Sequence, residues 1–190
     1  MIPILLTPPD VEPISLIQAK NWLRIDHSDE DELVAALIAS ARLIVESASG
    51  SMMITQSWRI VMDAWPTGDI NVPLAPVSAI LALRTLETTG ASVLVAPSSY
   101  VADISGGQGR IRFLKAPPTP QKSIGGVEID VELGFSSSPQ GVPETLKTAM
   151  RLLIARWYEQ RGDVESDGAF ERMPPAVAAL IAPFRRMRLV

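Results

Sequence analysis

Few residues of the types that usually carry chemistry are grouped in this chain. Its single histidine, His27, lies between Asp26 and Ser28-Asp29, so a serine, an imidazole and carboxylates are adjacent. Nucleophilic catalysis needs these groups to converge from an orienting scaffold, and neighbours on one turn rarely do so. Ser28 and Asp29 are good acceptors for the free amides of a following helix, and capping accounts for them more simply. Gly106, Gly107 and Gly109 resemble a phosphate loop. Such a loop needs a helix after it, with amides aimed at the anion. Here Arg110-Ile111-Arg112-Phe113-Leu114 follows with strand character, so a hairpin turn is expected.

Glu128, Asp130 and Glu132 recur every second residue and so share one face of a strand. Calcium normally takes about six or more oxygens from a shaped loop, which a straight row does not supply. The expectation is a solvated acidic face; if it bordered a channel, it would repel phosphates and let DNA slide past. Trp22, Trp58, Trp65 and Trp157 are scattered among elements and form no stacking platform for bases, so packing is their expected role. Arg185, Arg186 and Arg188 make the last residues basic, which suits a surface tail facing an acidic partner or nucleic acid. No catalytic residue, metal ligand or cofactor site emerges from these patterns.

The elements that would position these residues follow from spacing. Ser15 and Gln18 have the spacing of a capping box ahead of Leu16, Ile17, Trp22 and Leu23, predicting a short helix that ends near Arg24. After the acidic turn at residues 26–32, Leu33, Leu37, Ile38, Ala41, Ile44 and Val45 recur at helical spacing, and Gly50 ends that helix. From Ile54 the period becomes two. Strands are expected at 54–62, 70–74, 77–86, 92–96, 100–104, 110–114 and 127–133, separated by Gly- and Pro-rich turns. Helical period returns after Pro143, with Leu146, Ala149, Met150, Leu153, Ile154 and Trp157 on one face, and a last short helix covers 176–182. Helices on either side of a strand block indicate an α+β fold. The expected architecture is a helical bundle from residues 1–53 and 141–190, with an antiparallel β domain, 54–140, inserted between them.

At 190 residues and 47% hydrophobic, the chain can bury a core, as one domain or two small ones. It has no cysteine, which removes disulfides and thiolate metal sites. No basic start precedes the apolar N-terminal run, and no stretch approaches the roughly 18 apolar residues of a membrane span. The expectation is a soluble protein that resides in the cytoplasm when made. With 17 basic and 21 acidic residues the formal charge is −4, which disfavours tight binding through phosphates.

Several segments, in order, resemble the head–tail connector (adaptor) proteins of long-tailed bacteriophages and gene transfer agents. At the N-terminal end these are Ser15-Leu16-Ile17-Gln18-Ala19-Lys20-Asn21-Trp22-Leu23-Arg24-Ile25-Asp26, then Glu30-Asp31-Glu32-Leu33 and Leu37-Ile38-Ala39-Ser40-Ala41-Arg42. Ile54-Thr55-Gln56-Ser57-Trp58 and Val72-Pro73-Leu74-Ala75-Pro76-Val77 follow. Towards the C-terminus come Val142-Pro143-Glu144-Thr145-Leu146, Trp157-Tyr158-Glu159-Gln160-Arg161, and a closing segment from Pro175 to Arg185. Ser40 and Ser47 depart from the family pattern, standing where alanine or a larger residue is common.

The resemblance implies a structural subunit of a dodecameric ring docked under a portal protein. The ring would offer a platform to a stopper or tail-side connector and give DNA passage without specific binding. No enzyme activity, cofactor or membrane contact is implied, and the place of action after cytoplasmic assembly is the neck of the particle. On this reading Phe184, Arg185, Arg186, Met187, Arg188, Leu189 and Val190 are portal-contact candidates. Trp22, Leu23, Leu37, Trp157, Tyr158 and Arg161 are candidates for the core or the subunit interface, and Glu128, Asp130 and Glu132 for the lumen. The alternatives are a stopper or tail-completion ring protein and, further off, a small hydrolase.

Overall fold

The computed structural model describes residues 1–160 and 173–185. The fold is α+β, with four α-helices and antiparallel sheets among the described residues. The chain divides into two compact units, each built from separated stretches: Met1–Asp10 with Thr55–Phe135, and Val11–Ile54 with Ser136–Val190.

The first unit carries eight strands: β1 (Ile2–Thr7), β2 (Gln56–Met62), β3 (Ile70–Asn71), β4 (Val77–Leu86), β5 (Ser92–Leu94), β6 (Tyr100–Asp103), β7 (Arg110–Phe113) and β8 (Val127–Leu133). A five-stranded antiparallel sheet has the order β1-β2-β8-β4-β5, and a three-stranded one has β3-β7-β6. In β8 the alternation of Val127, Ile129, Val131 and Leu133 places all four inside, each at most 1% exposed. Ile60 from β2 and Leu83 from β4 are buried as well. Each such side chain contributes about 1.5–3 kcal/mol by leaving water.

The first ten residues belong to this unit and not, as the sequence suggested, to the helical one. They add β1 as an edge strand alongside β2, pairing Ile2 with Val61 and Leu5 with Trp58. All six residues of β1 are exposed, so no alternation of inside and outside marks the strand in sequence.

The second unit holds α1 (Leu16–Leu23), α2 (Asp31–Ser49), α3 (Glu144–Glu159) and α4 (Pro175–Ile181). The capping box forms: the Gln18 amide donates to Ser15 Oγ at 3.2 Å and the Ser15 amide donates to Gln18 Oε1 at 3.0 Å. Arg24 closes α1 in the left-handed region at φ 59°, and Gly50 closes α2 at φ 69°, where glycine avoids the Cβ penalty. The helices bury Val34, Ile38, Ala41 and Val45 of α2 against Leu146, Ala149, Met150, Leu153 and Ile154 of α3, with Val177 and Ile181 of α4.

The N-terminal end of α2 differs from expectation. Its N-cap is Glu30, without a side-chain cap bond, and Ser28 contributes only its carbonyl, which accepts from the Asp31 amide at 3.1 Å. Asp31 and Glu32 place two carboxylates in the first turn, where the helix dipole favours them. Among the described residues no helix is long and apolar enough to cross a membrane.

Candidate assembly surfaces

The glycines at 106, 107 and 109 belong to a hairpin connection. Gly106 and Gly107 take positive φ in a short turn between β6 and β7, and strand follows directly. A Cβ on Gly109 would come within 2.8 Å of methyl groups on both Val72 and Val77, so this glycine serves close packing. His27, Ser28 and Asp29 are all exposed on the loop before α2. Among the described residues no group of three metal-ligating side chains is assembled.

The acidic row of β8 is not the free, solvated face that its alternation suggested. Asp130 is buried at 6% exposure. Arg59, opposite it on β2, donates from Nε to Oδ1 at 2.7 Å and from Nη2 to Oδ2 at 3.0 Å. Arg84 of β4 donates to the same carboxylate from the other side. Arg59 also reaches Glu128 at 3.0 Å, and Glu132 accepts from Ser78 Oγ at 2.8 Å. Burial pushes the Asp130 carboxyl up, but hydrogen bonds and positive charge from Arg59 and Arg84 outweigh it and hold the group below the usual carboxylate range. Glu128 and Asp130 are balanced by the two guanidiniums across three neighbouring strands, which leaves Glu132, held by a hydroxyl, as the one carboxylate of the row without a cation among these contacts. The reason lies in register: sequence shows the spacing of the acids but not that Arg59 and Arg84 stand beside them.

The smaller sheet neutralises itself in the same way. Arg112 grips Asp69 with two hydrogen bonds of 2.7 Å, and Arg110 bonds Asp103 at 3.1 Å. Trp65 meets Phe113 edge-on at 4.9 Å, and a shallow depression opens beside them, lined by Pro66, Gly68, Asp69, Arg112, Phe113 and Pro117.

The described candidates for core or interface in the helical unit, Trp22, Leu23, Leu37, Trp157 and Tyr158, are not fully buried. Trp22 is 48% exposed, with the Arg151 guanidinium 6.0 Å from its ring centroid. Leu23, Leu37, Trp157 and Tyr158 are half-buried. Tyr158 ties α3 to the start of α2 by donating its hydroxyl to Glu30. Arg161 lies outside the described residues.

Sequence reasoning missed a buried ionic cluster on α2. Arg42 donates to Glu12 at 2.8 Å and to Glu46, one turn on, at 3.2 Å, while Glu46 Oε1 accepts from the Met53 amide at 2.7 Å. The i,i+4 spacing of Arg42 and Glu46 was the available signal. Helical patterning ordinarily assigns such a pair to solvent.

Of the C-terminal candidates, Phe184 and Arg185 are described, while Arg186, Met187, Arg188, Leu189 and Val190 lie outside the described residues. The Phe184 carbonyl accepts from Ser51 Oγ at 3.3 Å, and Arg185 Nε donates to the Ala48 carbonyl at 3.1 Å. The last turn of α2 has no basic residue of its own, so Arg185 supplies the cation that complements the negative end of its dipole.

No family model matches this chain, and no curated protein matches it. Solved structures do. A chain in the neck of an empty GTA particle, computed with C6 symmetry, is 29% identical, with a TM-score of 0.81 over 100% of this chain and 98% of that one. A chain in the neck of a native GTA particle, computed with C12 symmetry, is 28% identical with a TM-score of 0.80 and the same coverage. A third, in the virion of a native gene transfer agent (GTA) particle, is 26% identical with a TM-score of 0.84, again over 100% and 98%. Over its full length the chain is therefore similar to components of gene transfer agent particles, and the likeness supports a structural protein of the particle neck.

Proposed function

We propose that the chain is a head–tail connector (adaptor) subunit, one of a closed ring that stands between a portal and the stopper or tail-side ring of a phage-like particle. The observation that carries this reading is the end-to-end likeness to a neck chain, 100% of one covering 98% of the other. Matching of both units together is more demanding than the likeness of a helical bundle or a sheet alone. The C6 and C12 symmetry of the related necks supports a ring. Such a ring has identical neighbours on either side of each copy.

Physical features agree with a passive conduit. The formal charge of −4 and the internal pairing of the sheet arginines leave little to hold a phosphate backbone. DNA would pass without being gripped. The helical bundle of α1 to α4 favours the adaptor over a stopper, which is expected to be mainly β.

The test is deletion of the gene in a particle-producing strain, followed by imaging of the necks. Filled heads and free tails, rejoined when the gene is restored, are expected. Normal necks without this polypeptide would refute the reading. Removal of residues 184–190 tests the portal-contact candidates in the same assay, with loss of joining as the expected result.

A further inference from the structure

Helix α2 wears its charges on the inside. Between Leu33 and Ser47 its only charged residues are Arg42 and Glu46, and both are buried. The opposite side is apolar and open to solvent: Leu33 is 37% exposed, Leu43 56% and Ile44 44%. Exposed Ala36, Ser40 and Ser47 lie between them. At about 100° per residue these positions fall in an arc of roughly 100°, the width of a packing face. Small residues between large ones give the ridges and grooves into which another element fits. A surface helix ordinarily shows the reverse distribution, and large apolar residues in a row on the surface mark an interaction site.

We propose that this outer face of α2 is a lateral contact of the ring, covered by a second copy of the same chain. The inference rests on the ring reading above and adds the surface that closes it. The chemistry of the face selects its occupant. It has no lysine or arginine, so a phosphate backbone finds no partner there. It has no carboxylate either, so a basic partner gains nothing from it. Its size agrees with a repeated contact. From Leu33 to Ser47 the face is about 21 Å long, and a strip about 10 Å wide offers on the order of 210 Å². A stable free dimer buries roughly 800 Å² on each partner, near four times as much. A face this small serves where every copy is held by two neighbours and the ring closes, and the related necks have cyclic symmetry.

The absence of cysteine makes the test direct. A Leu43→Cys variant of the full chain, labelled with a benzophenone maleimide, is assembled into particles and irradiated. Crosslinked species at multiples of the 20.5 kDa chain, containing peptides of this chain alone, are expected. A crosslink to a different virion protein, or none, would overturn the proposal. A second variant, Leu43→Glu with Ile44→Glu, should keep the melting temperature of the free chain and lower neck occupancy at least ten-fold. Unchanged occupancy would also overturn it while leaving the connector reading intact. Wild-type necks that lack the chain altogether would remove both.

Discussion

Replacing Asp130 by alanine removes the acceptor at the centre of the five-stranded sheet. Three charge-assisted hydrogen bonds converge on that carboxylate, two from Arg59 and one from Arg84. Breaking a buried pair from one side costs about 3–5 kcal/mol, because the remaining charge is left without a partner. The arginine side chains are 29% and 27% exposed, so water recovers part of that, and Arg59 keeps Glu128. The expected loss is about 2–4 kcal/mol. Urea unfolding of the purified chain measures it, with a lower midpoint and an unchanged slope. The Arg84→Met/Asp130→Leu double variant should lose less than Asp130→Ala alone, since it removes the stranded cation together with the acid. The pH dependence has a definite sign. The Asp130 carboxyl is held below its ordinary value, so its contribution is complete above about pH 4 and declines as pH falls further. The gap between wild type and Asp130→Ala should therefore narrow in acid. An Asp130→Ala variant within about 0.5 kcal/mol of wild type at neutral pH would refute the buried network.

Other outcomes follow from named contacts. Arg42→Met removes the cation shared by Glu12 and buried Glu46 and should cost about 3–5 kcal/mol in urea unfolding. Gly126→Ala would put a Cβ 2.2 Å from the Lys122 carbonyl oxygen, so the turn before β8 must shift. A loss of about 1–3 kcal/mol is expected, and an unchanged unfolding midpoint would show that the turn yields freely. Trp157→Ala removes a half-buried ring and should cost about 1–3 kcal/mol by the same measurement, less than a core tryptophan would.

Much of this fold is legible in the sequence because local rules and tertiary structure agree. Ser15 with Gln18, Gly50, and the alternation from Val127 to Leu133 each specify an element and its limits. The α3 face from Leu146 to Ile154 is likewise the buried one. What escapes is information held by a distant stretch. Asp130 reads as solvated until β2 and β4 bring their arginines beside it. Leu33, Leu37, Ile38, Ala41, Ile44 and Val45 share helical spacing, but the bundle takes Ile38, Ala41 and Val45, together with Val34, and leaves Leu33 and Ile44, together with Leu43, outside. An edge strand exposed on both sides, such as β1, has no periodicity to detect. The assembly candidates were legible by type rather than by place: Trp22 and Tyr158 are surface or linking residues, and the apolar outer face of α2 was hidden in what looked like a core.

The interleaving of the two units bears on the order in which the newborn chain can fold. Synthesis runs from the N-terminus, so α2 leaves the ribosome almost a hundred residues before α3. Throughout that interval Val34, Ile38 and Val45 lack their mate. The N-terminal strand must likewise wait for β2. The sheet can finish first, since its last strand ends at Leu133, and the bundle can close only after residue 144 has emerged. Once residues up to about 135 have emerged, the sheet can be finished while α2 is still unmated and sticky, the stage at which a chaperone would find most to bind.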